Sequence, residues 1–249
     1  MLAALGAAGV DVAVVTGRAP DVAARLAGLT DAAASMSSDA AASMSPDAAA
    51  SSSADAGLRR LVVHGHYGLQ SWSAEGGLTS AADPVAVAAV DRVRSALPAL
   101  LRGLAAPAGV VVEDKVIAIA VHTRQAADPQ GAIDAIAPAL VELAGREGLQ
   151  TEAGRYVREI RPTGVDKGAT LGRLIDAAAA VAVLYAGDDL GDLPAFAALS
   201  VARAAGTATV GLASGQQNTD PRVEAAADIT VDGPTGVLAV LRRLADQLR

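Results

Sequence analysis

Two adjacent carboxylates follow an apolar run in the second half of the chain. The run Val181–Ala186 has the composition of a buried strand, and Asp188, Asp189 and Asp192 come shortly after it. Neighbouring carboxylates repel each other unless a cation compensates their charge. Mg²⁺ takes one or two carboxylates and completes its shell with water and phosphate oxygens, so a metal site is one interpretation. The other is a helix N-terminus whose free N–H groups are capped by aspartates.

A lysine stands at the predicted start of a helix, in the segment Asp166-Lys167-Gly168. A positive side chain is unfavourable at a helix N-terminus, where the helix dipole is itself positive. A bound phosphate would explain it, because both the N-terminus and the ammonium attract an anion. A solvated surface lysine is the alternative interpretation.

A third polar segment, Thr16-Gly17-Arg18, follows the apolar run Val12–Val15. The threonine offers a hydroxyl and the glycine lets the backbone approach a ligand closely, although a simple turn would use the same residues. In open parallel sheets, ligands bind at the carboxyl ends of the strands. We therefore expect the threonine, the lysine and the aspartates to converge on one pocket.

Short β-branched runs alternate with Ala- and Leu-rich helical stretches along most of the 249 residues, which predicts an α/β fold with a doubly wound, mostly parallel sheet. The middle of the chain differs, because two apolar runs flank Glu113-Asp114-Lys115 like an antiparallel hairpin, and a helix over 129–147 and a strand over 156–160 follow. We predict a core of residues 1–70 and 160–249, and a smaller inserted α+β cap domain over 71–159. The segment 31–57, which contains three Asp-Ala-Ala-Ala-Ser repeats, is predicted to be a low-complexity, flexible insert.

The amino-acid composition narrows the class of molecule that this chain could bind. The chain has 27 acidic and 20 basic residues, which gives a net charge of −7 without a long run of one sign and argues against nucleic acid. It has no cysteine, no basic leader before an apolar run, and no apolar stretch near the roughly 20 residues of a membrane span. We expect a soluble, cytoplasmic protein whose ligand is an anionic small molecule.

The order and spacing of the three polar segments resemble a known family. Thr16-Gly17-Arg18, Arg161-Pro-x-x-x-Asp-Lys167-Gly and Gly187-Asp-Asp-x-x-Asp192 are similar to the second, third and fourth motifs of haloacid-dehalogenase phosphatases. Together with Glu113-Asp-Lys115, His122-x-Arg124 and Glu159-x-Arg161, they resemble trehalose-6-phosphate phosphatases, over nearly the whole chain except the repeat insert.

The resemblance implies a role for each matched position. Thr16 and Lys167 would contact the phosphoryl group in catalysis, and Asp188, Asp189 and Asp192 would hold Mg²⁺. The remaining matched positions would bind substrate; they are Gly17, Arg18, Glu113, Lys115, His122, Arg124, Glu159 and Arg161. His66 has only a loose family counterpart, no role is assigned to His64, and Trp72 and Phe196 are interpreted as packing residues.

The family's first motif, Asp-x-Asp-Gly-Thr, is absent from the 249 residues. In the family it supplies the attacking carboxylate and the acid/base carboxylate on the first strand of the core. The resemblance therefore implies that this strand is missing and that the true start lies upstream. We expect the chain as given to be nearly inactive and, with two strands stripped of a partner, to be prone to aggregation.

The expected reaction of the complete protein is the Mg²⁺-dependent hydrolysis of trehalose 6-phosphate to trehalose and phosphate. Two alternatives stay open. One is a non-catalytic sugar-phosphate-binding module that acts beside a trehalose-6-phosphate synthase, and the other is a related phosphatase with a different sugar-phosphate substrate.

Overall fold

The computed structural model describes residues 1–29, 57–216 and 219–248, which form two compact units. One unit comprises Ser80–Val165, and the other comprises the described residues of Met1–Thr79 and Asp166–Arg249. The predicted flexible insert lies outside the described residues, except for Gly57 at its end. No helix in the described part of the chain combines the length and apolar character needed to cross a membrane.

Helices and strands alternate through most of the described residues. The helices are α1 (Leu2–Ala7), α2 (Pro20–Leu26), α3 (Pro84–Gly103), α4 (Pro129–Arg146), α5 (Lys167–Ala177), α6 (Leu193–Ala204), α7 (Pro221–Ala226) and α8 (Gly233–Gln247). The strands are β1 (Val12–Val15), β2 (Leu61–Gly65), β3 (Gln70–Ser73), β4 (Gly77–Ser80), β5 (Val111–Asp114), β6 (Ile119–His122), β7 (Leu149–Gly154), β8 (Val157–Pro162), β9 (Ala182–Gly187), β10 (Ala208–Gly215) and β11 (Ile229–Asp232).

The larger unit holds two separate sheets. In the first, β1 pairs in parallel with β2, β2 pairs antiparallel with β3, and β4 lies beyond β3. In the second, β9, β10 and β11 are all parallel. Within the described residues, β1 and β9 each lie at an end of their sheet. The predicted α/β class is confirmed, and the parallel pairing of β1 with β2 and of β9, β10 and β11 agrees with the mostly parallel core that was predicted.

Apolar side chains pack on both sheets of this unit. Trp72 packs against a cluster that contains Leu61 and Val63, and Phe196 is buried in a second cluster beside Tyr185, with their rings edge to face at 5.5 Å. Both aromatic residues therefore have the packing role that the sequence predicted.

Several helices of the chain begin with an aspartate followed by proline, a pairing that caps the first turn and presets its φ. An example is Asp220, which accepts a hydrogen bond from Arg222 N.

The smaller unit is an antiparallel sheet with the strand order β5-β6-β8-β7. One side of the sheet contributes Ile119, Val121 and Ile160 to a core that it shares with helices α3 and α4. The unit begins later than the predicted position 71 because β3 and β4 extend the first sheet of the larger unit. It also ends a few residues beyond the predicted position 159, because β8 continues to Pro162.

Candidate active site

The acidic segment after β9 folds into a turn around one buried carboxylate. Asp188, Asp189 and Asp192 each place a carboxylate oxygen within 4.8 Å of the others. The side chain of Asp192 is only 3% exposed, whereas that of Asp189 is 64% exposed. The backbone N–H groups of Asp188 and Asp189 donate to Asp192 Oδ2 at 2.9 and 3.0 Å. The turn is therefore shaped by Asp192, and its two other carboxylates are exposed.

The other oxygen of Asp192 accepts two side-chain hydrogen bonds. Tyr185 Oη donates to Asp192 Oδ1 at 2.5 Å, and Lys167 Nζ donates to the same atom at 2.7 Å. The carboxyl also lies against the backbone of Gly187, where a Cβ atom would be 2.4 Å from Asp192 Cγ. A side chain at position 187 would displace this carboxyl group. The glycine before the two aspartates is thus required by the turn itself.

Lys167 is the first residue of α5, as the sequence predicted. The preceding Asp166 caps the helix by accepting a hydrogen bond from Ala169 N at 2.7 Å. At Gly168 an added Cβ would lie 2.3 Å from the carbonyl oxygen of Pro194 in α6, so the glycine allows the two helices to approach closely. This approach brings Lys167 to the acidic turn that precedes α6.

Lys167 offsets part of the negative charge of the three aspartates. Burial opposes the charged form of this lysine, but attraction by Asp192 and Asp189 outweighs burial and holds the pKa of the ammonium above its ordinary value. Burial also opposes ionisation of Asp192, yet Lys167 keeps the pKa of that carboxyl below its ordinary value. The Asp189 side chain is exposed, but its carboxyl is partly desolvated by the turn, and this desolvation together with repulsion by Asp192 prevails over Lys167 and raises the pKa. An added cation would relieve that repulsion.

Thr16 lies at the carboxyl end of β1 and is joined to α5 through Tyr67. Tyr67 N donates to Thr16 O at 3.0 Å, and Thr170 Oγ1 of α5 donates to Tyr67 O. A Cβ on Gly17 would come within 2.8 Å of the Tyr67 hydroxyl oxygen. The hydroxyl of Thr16 accepts a hydrogen bond from Arg18 N at 3.1 Å, and the Arg18 side chain is exposed.

Sequence reasoning missed the positioning contribution of Tyr67. In the sequence, the feature that could have indicated it was the Gly-rich segment Gly65-His-Tyr-Gly68. In the structure, His66, Tyr67 and Gly68 have positive φ values of 49°, 57° and 85°. Two non-glycine residues in the left-handed region are costly, so the surrounding contacts must hold them there. The sequence showed a Gly-rich segment with a loose family counterpart, but not that its tyrosine would join two predicted site segments.

In the smaller unit, three glutamates form one row across the sheet. Glu113 lies opposite Ala120, Ala120 lies opposite Glu159, and Glu159 lies opposite Glu152. Residues that are directly opposite share a face of the sheet. This polar face is the reverse of the one that carries Ile119 and Ile160 into the core.

Each glutamate of the row has a cationic partner or a histidine. The pairs are Glu113 with His122 at 2.9 Å, Glu159 with Lys115, and Glu152 with Arg161 at 2.6 Å. Five of the predicted sugar-binding residues thus take part in these pairs, while Arg124 is exposed in the turn after β6. Glu152 was missed, because an isolated glutamate in a polar stretch does not show which residue of a neighbouring strand it will lie opposite.

Two comparisons of structure define the class of fold. A haloacid dehalogenase-like hydrolase from Bacteroides thetaiotaomicron matches 98% of this chain and 90% of its own, with a TM-score of 0.58 at 15% identity. A trehalose-6-phosphate phosphatase from Aspergillus fumigatus matches 99% of this chain and 83% of its own, with a TM-score of 0.62 at 20% identity. The fold is therefore that of the haloacid-dehalogenase-like hydrolases.

The chain belongs to the trehalose-phosphatase family, whose model matches residues 13–227. A trehalose-phosphate phosphatase from Mycolicibacterium paratuberculosis is 36% identical over 177 residues, which cover 68% of this chain and 41% of that protein. One from Mycobacterium marinum is 34% identical over 200 residues, or 77% of this chain and 48% of that protein. The chain thus spans less than half the length of these curated relatives.

Proposed function

We propose that this chain supplies the phosphate-, metal- and sugar-binding residues of a Mg²⁺-dependent trehalose-6-phosphate phosphatase. The observation that carries the proposal is the position of Lys167, whose ammonium bonds the buried Asp192 at 2.7 Å beside the exposed Asp188 and Asp189. A cation and exposed carboxylates at the carboxyl end of a parallel strand are a site for a metal-bound phosphate. Membership of the trehalose-phosphatase family supports trehalose 6-phosphate as the substrate.

The donor set suits a hard divalent cation, with unequal contributions from the three aspartates. Asp188 and Asp189 are exposed and would be the principal Mg²⁺ ligands, whereas each oxygen of Asp192 already accepts two hydrogen bonds. We therefore propose that Asp192 shapes the turn and holds Lys167 rather than binding the ion by itself. Bound Mg²⁺ would offset negative charge on the phosphoryl oxygens.

Lys167 and Thr16 would act on the phosphoryl group directly. The lysine ammonium, kept charged by two aspartates, would attract the phosphoryl oxygens and stabilise charge that develops on them. Thr16 would donate its hydroxyl to one of these oxygens, and the bare backbone at Gly17 would allow the close approach. Together they would hold the phosphorus atom in line for attack.

We propose that the attacking group lies outside these residues, since they contain no Asp-x-Asp-Gly-Thr segment. In the proposed reaction, an aspartate outside them forms a bond to phosphorus while the bond from phosphorus to the sugar oxygen breaks. A second carboxylate protonates the departing sugar oxygen and then takes a proton from the water that hydrolyses the aspartyl phosphate. We therefore propose that this chain alone binds trehalose 6-phosphate without turning it over.

The polar face of the smaller unit would bind the trehalose hydroxyls. Its carboxylates accept hydrogen bonds and its cations donate them, which matches the dual character of sugar hydroxyls. The residues proposed for this role are Glu113, Lys115, His122, Arg124, Glu159 and Arg161.

Binding and turnover test the proposal separately. Isothermal titration calorimetry of the chain in Mg²⁺ is expected to show tighter binding of trehalose 6-phosphate than of glucose 6-phosphate or trehalose. A separate phosphate assay is expected to show release from trehalose 6-phosphate at the uncatalysed rate. A protein extended by the in-frame upstream codons is expected to contain Asp-x-Asp-Gly-Thr and to prefer trehalose 6-phosphate. Equal rates with glucose 6-phosphate would reject the substrate assignment, and a substrate panel would then identify a related sugar phosphate.

A second candidate function is a non-catalytic sugar-phosphate-binding module associated with a trehalose-6-phosphate synthase. The absence of Asp-x-Asp-Gly-Thr from the 249 residues favours it. Upstream codons without that motif, together with retained binding of trehalose 6-phosphate, would support the module. Pull-down with a purified synthase, with and without trehalose 6-phosphate, would then test the association.

A further inference from the structure

The turn that presents Lys115 has an unfavourable backbone conformation. It joins β5 to β6, and Val116, which follows the lysine, has a φ of 69°. The left-handed region is costly for a β-branched residue, because its side chain crowds the backbone. The turn is closed by hydrogen bonds from Lys115 N to Ala118 O at 2.9 Å and from Ile117 N to Lys115 O at 2.8 Å. Something besides intrinsic preference must hold Val116 in place.

Arg94 of helix α3 contacts both sides of this turn. Its Nε donates to Asp114 Oδ2 at 2.6 Å and its Nη2 donates to Asp114 Oδ1 at 3.0 Å, a two-point contact with the carboxylate. The same Nη2 donates to Val116 O at 2.6 Å. Asp114 Oδ1 in turn accepts from Val116 N at 2.9 Å. Both backbone polar groups of the left-handed residue are therefore held, one by Asp114 and one by Arg94.

The lysine between these two contacts is aimed at the polar face. The Lys115 ammonium pairs with Glu159, and the two side chains are only 19% and 9% exposed. Arg94 is itself anchored by a second acidic residue of its own helix, Asp91. A rigid chain of contacts thus runs from α3 through the turn to the Lys115–Glu159 pair.

We propose that Arg94 is a positioning residue for substrate binding, which it serves by holding the Asp114–Val116 turn so that Lys115 stays on Glu159. The inference rests on the proposed function, because Lys115 and Glu159 are proposed there as sugar-binding residues. Arg94 reaches this pair only through the turn. Lysine cannot replace it, since one ammonium cannot make a two-point contact with a carboxylate and also reach a carbonyl in the same geometry.

Arg92 is a matched control on the same helix. It lies two residues before Arg94 and bonds Glu147 at 2.5 Å, outside the turn, with a side chain that is 56% exposed. That contact runs through Arg92 Nε to one carboxylate oxygen, whereas Arg94 makes a two-point contact with Asp114. Arg92→Lys and Arg94→Lys therefore make the same chemical change at two positions, of which one holds the turn.

The first measurement is binding of trehalose 6-phosphate in Mg²⁺ by calorimetry. Arg94→Lys is expected to weaken binding by about tenfold, the scale of roughly one hydrogen bond lost to the ligand, and Arg92→Lys to leave it within about twofold. Adding Val116→Gly removes the cost of the left-handed conformation, so Arg94→Lys/Val116→Gly is expected to recover most of the lost affinity. Wild-type affinity in a folded Arg94→Lys protein, or no recovery in the double variant, would overturn the proposal.

The second measurement needs no ligand. Hydrogen exchange of the Val116 and Ile117 amides is expected to be at least about tenfold faster in Arg94→Lys than in Arg92→Lys, because the turn opens locally. If the wild-type chain does not bind trehalose 6-phosphate, the proposed function fails. Independently of that result, unchanged amide exchange in Arg94→Lys would contradict the positioning role of Arg94. Should Arg94→Lys not fold, Asp114→Asn removes the same charge pair from the turn and must show the same faster exchange.

Discussion

Lys167 Nζ and Asp192 Oδ1 lie 2.7 Å apart, with side chains that are 13% and 3% exposed. The lysine begins α5 and the aspartate precedes α6, so one buried ion pair joins the starts of two helices. The same aspartate fixes the backbone that presents Asp188 and Asp189. One contact thus links the cation that we propose binds phosphate to the turn that we propose binds the metal.

Asp192→Asn is expected to lower the free energy of unfolding by roughly 3–5 kcal/mol, because the buried lysine loses the nearer of its two charged partners. Denaturant unfolding followed by circular dichroism measures the change. The control is Asp189→Asn, whose side chain is 64% exposed and which should change the free energy of unfolding by no more than about 1 kcal/mol in either direction. Equal losses in the two variants would contradict the assigned structural role of Asp192.

Gly168→Ala is expected to destabilise the protein by roughly 1–3 kcal/mol, since the new methyl group would meet a backbone oxygen of α6 at 2.3 Å. At Gly172, in the same helix, an added Cβ would meet no atom of the described residues within 4 Å. Gly172→Ala should therefore stabilise by about 0.5–1 kcal/mol through helix propensity. Shifts of opposite sign in the unfolding midpoints of the two variants would confirm the close approach of α5 and α6, and equal shifts would contradict it.

Asp188→Asn and Asp189→Asn are each expected to weaken divalent-cation binding by at least about tenfold, because each removes one charged oxygen ligand. Mn²⁺ can replace Mg²⁺ so that the free ion is counted by electron paramagnetic resonance. Asp176→Asn, in the last turn of α5, is the control and should bind Mn²⁺ like the wild type. If Asp188→Asn and Asp189→Asn both bound Mn²⁺ like the wild type, the acidic turn would not be the metal site.

Glu159→Gln is expected to weaken binding of trehalose 6-phosphate by about tenfold, because Lys115 loses its charged partner and a sugar hydroxyl meets a neutral amide in place of a charged acceptor. Binding of inorganic phosphate should be unaffected, since Glu159 belongs to the smaller unit. Glu142→Gln disrupts an exposed pair with Arg146 in the same unit and serves as the control. If calorimetry showed that Glu159→Gln weakens binding of trehalose 6-phosphate and of inorganic phosphate equally, this result would argue against a sugar-binding role for Glu159.

The hydrogen bond from Arg94 holds the pKa of the Asp114 carboxyl below its ordinary value of 3.8. Because the folded pKa is lower than the unfolded one, the stabilisation is complete above pH 3.8 and is lost as the pH falls through the folded pKa. Carbon-detected NMR titration of Asp114 should therefore give a midpoint below 3.8, and Arg94→Lys should raise it. A midpoint that is the same in both proteins would show that the contact is not formed in solution.

The sequence located elements whose pattern is local. Strands Val12–Val15 and Ile229–Val231 were found to within one residue, and the predicted 129–147 helix ends one residue earlier, at Arg146. The hairpin around Glu113-Asp-Lys115 was also correct, because two short apolar runs separated by charged residues fit few other structures. Strands β3, β4 and β7 were missed, since they are rich in polar residues and glycine and so carry little hydrophobic signal.

The sequence by itself determined the residue types of the site and their order, because motifs of charge and glycine are written in consecutive residues. It could not determine that Asp192 would be buried, that Tyr67 would join Thr16 to α5, or that Glu152 would share a row with Glu159. Those facts depend on strand register and helix approach, which are set by packing between distant segments. Only the tertiary structure decided which carboxylates stay exposed for a ligand and which are used to hold the protein together.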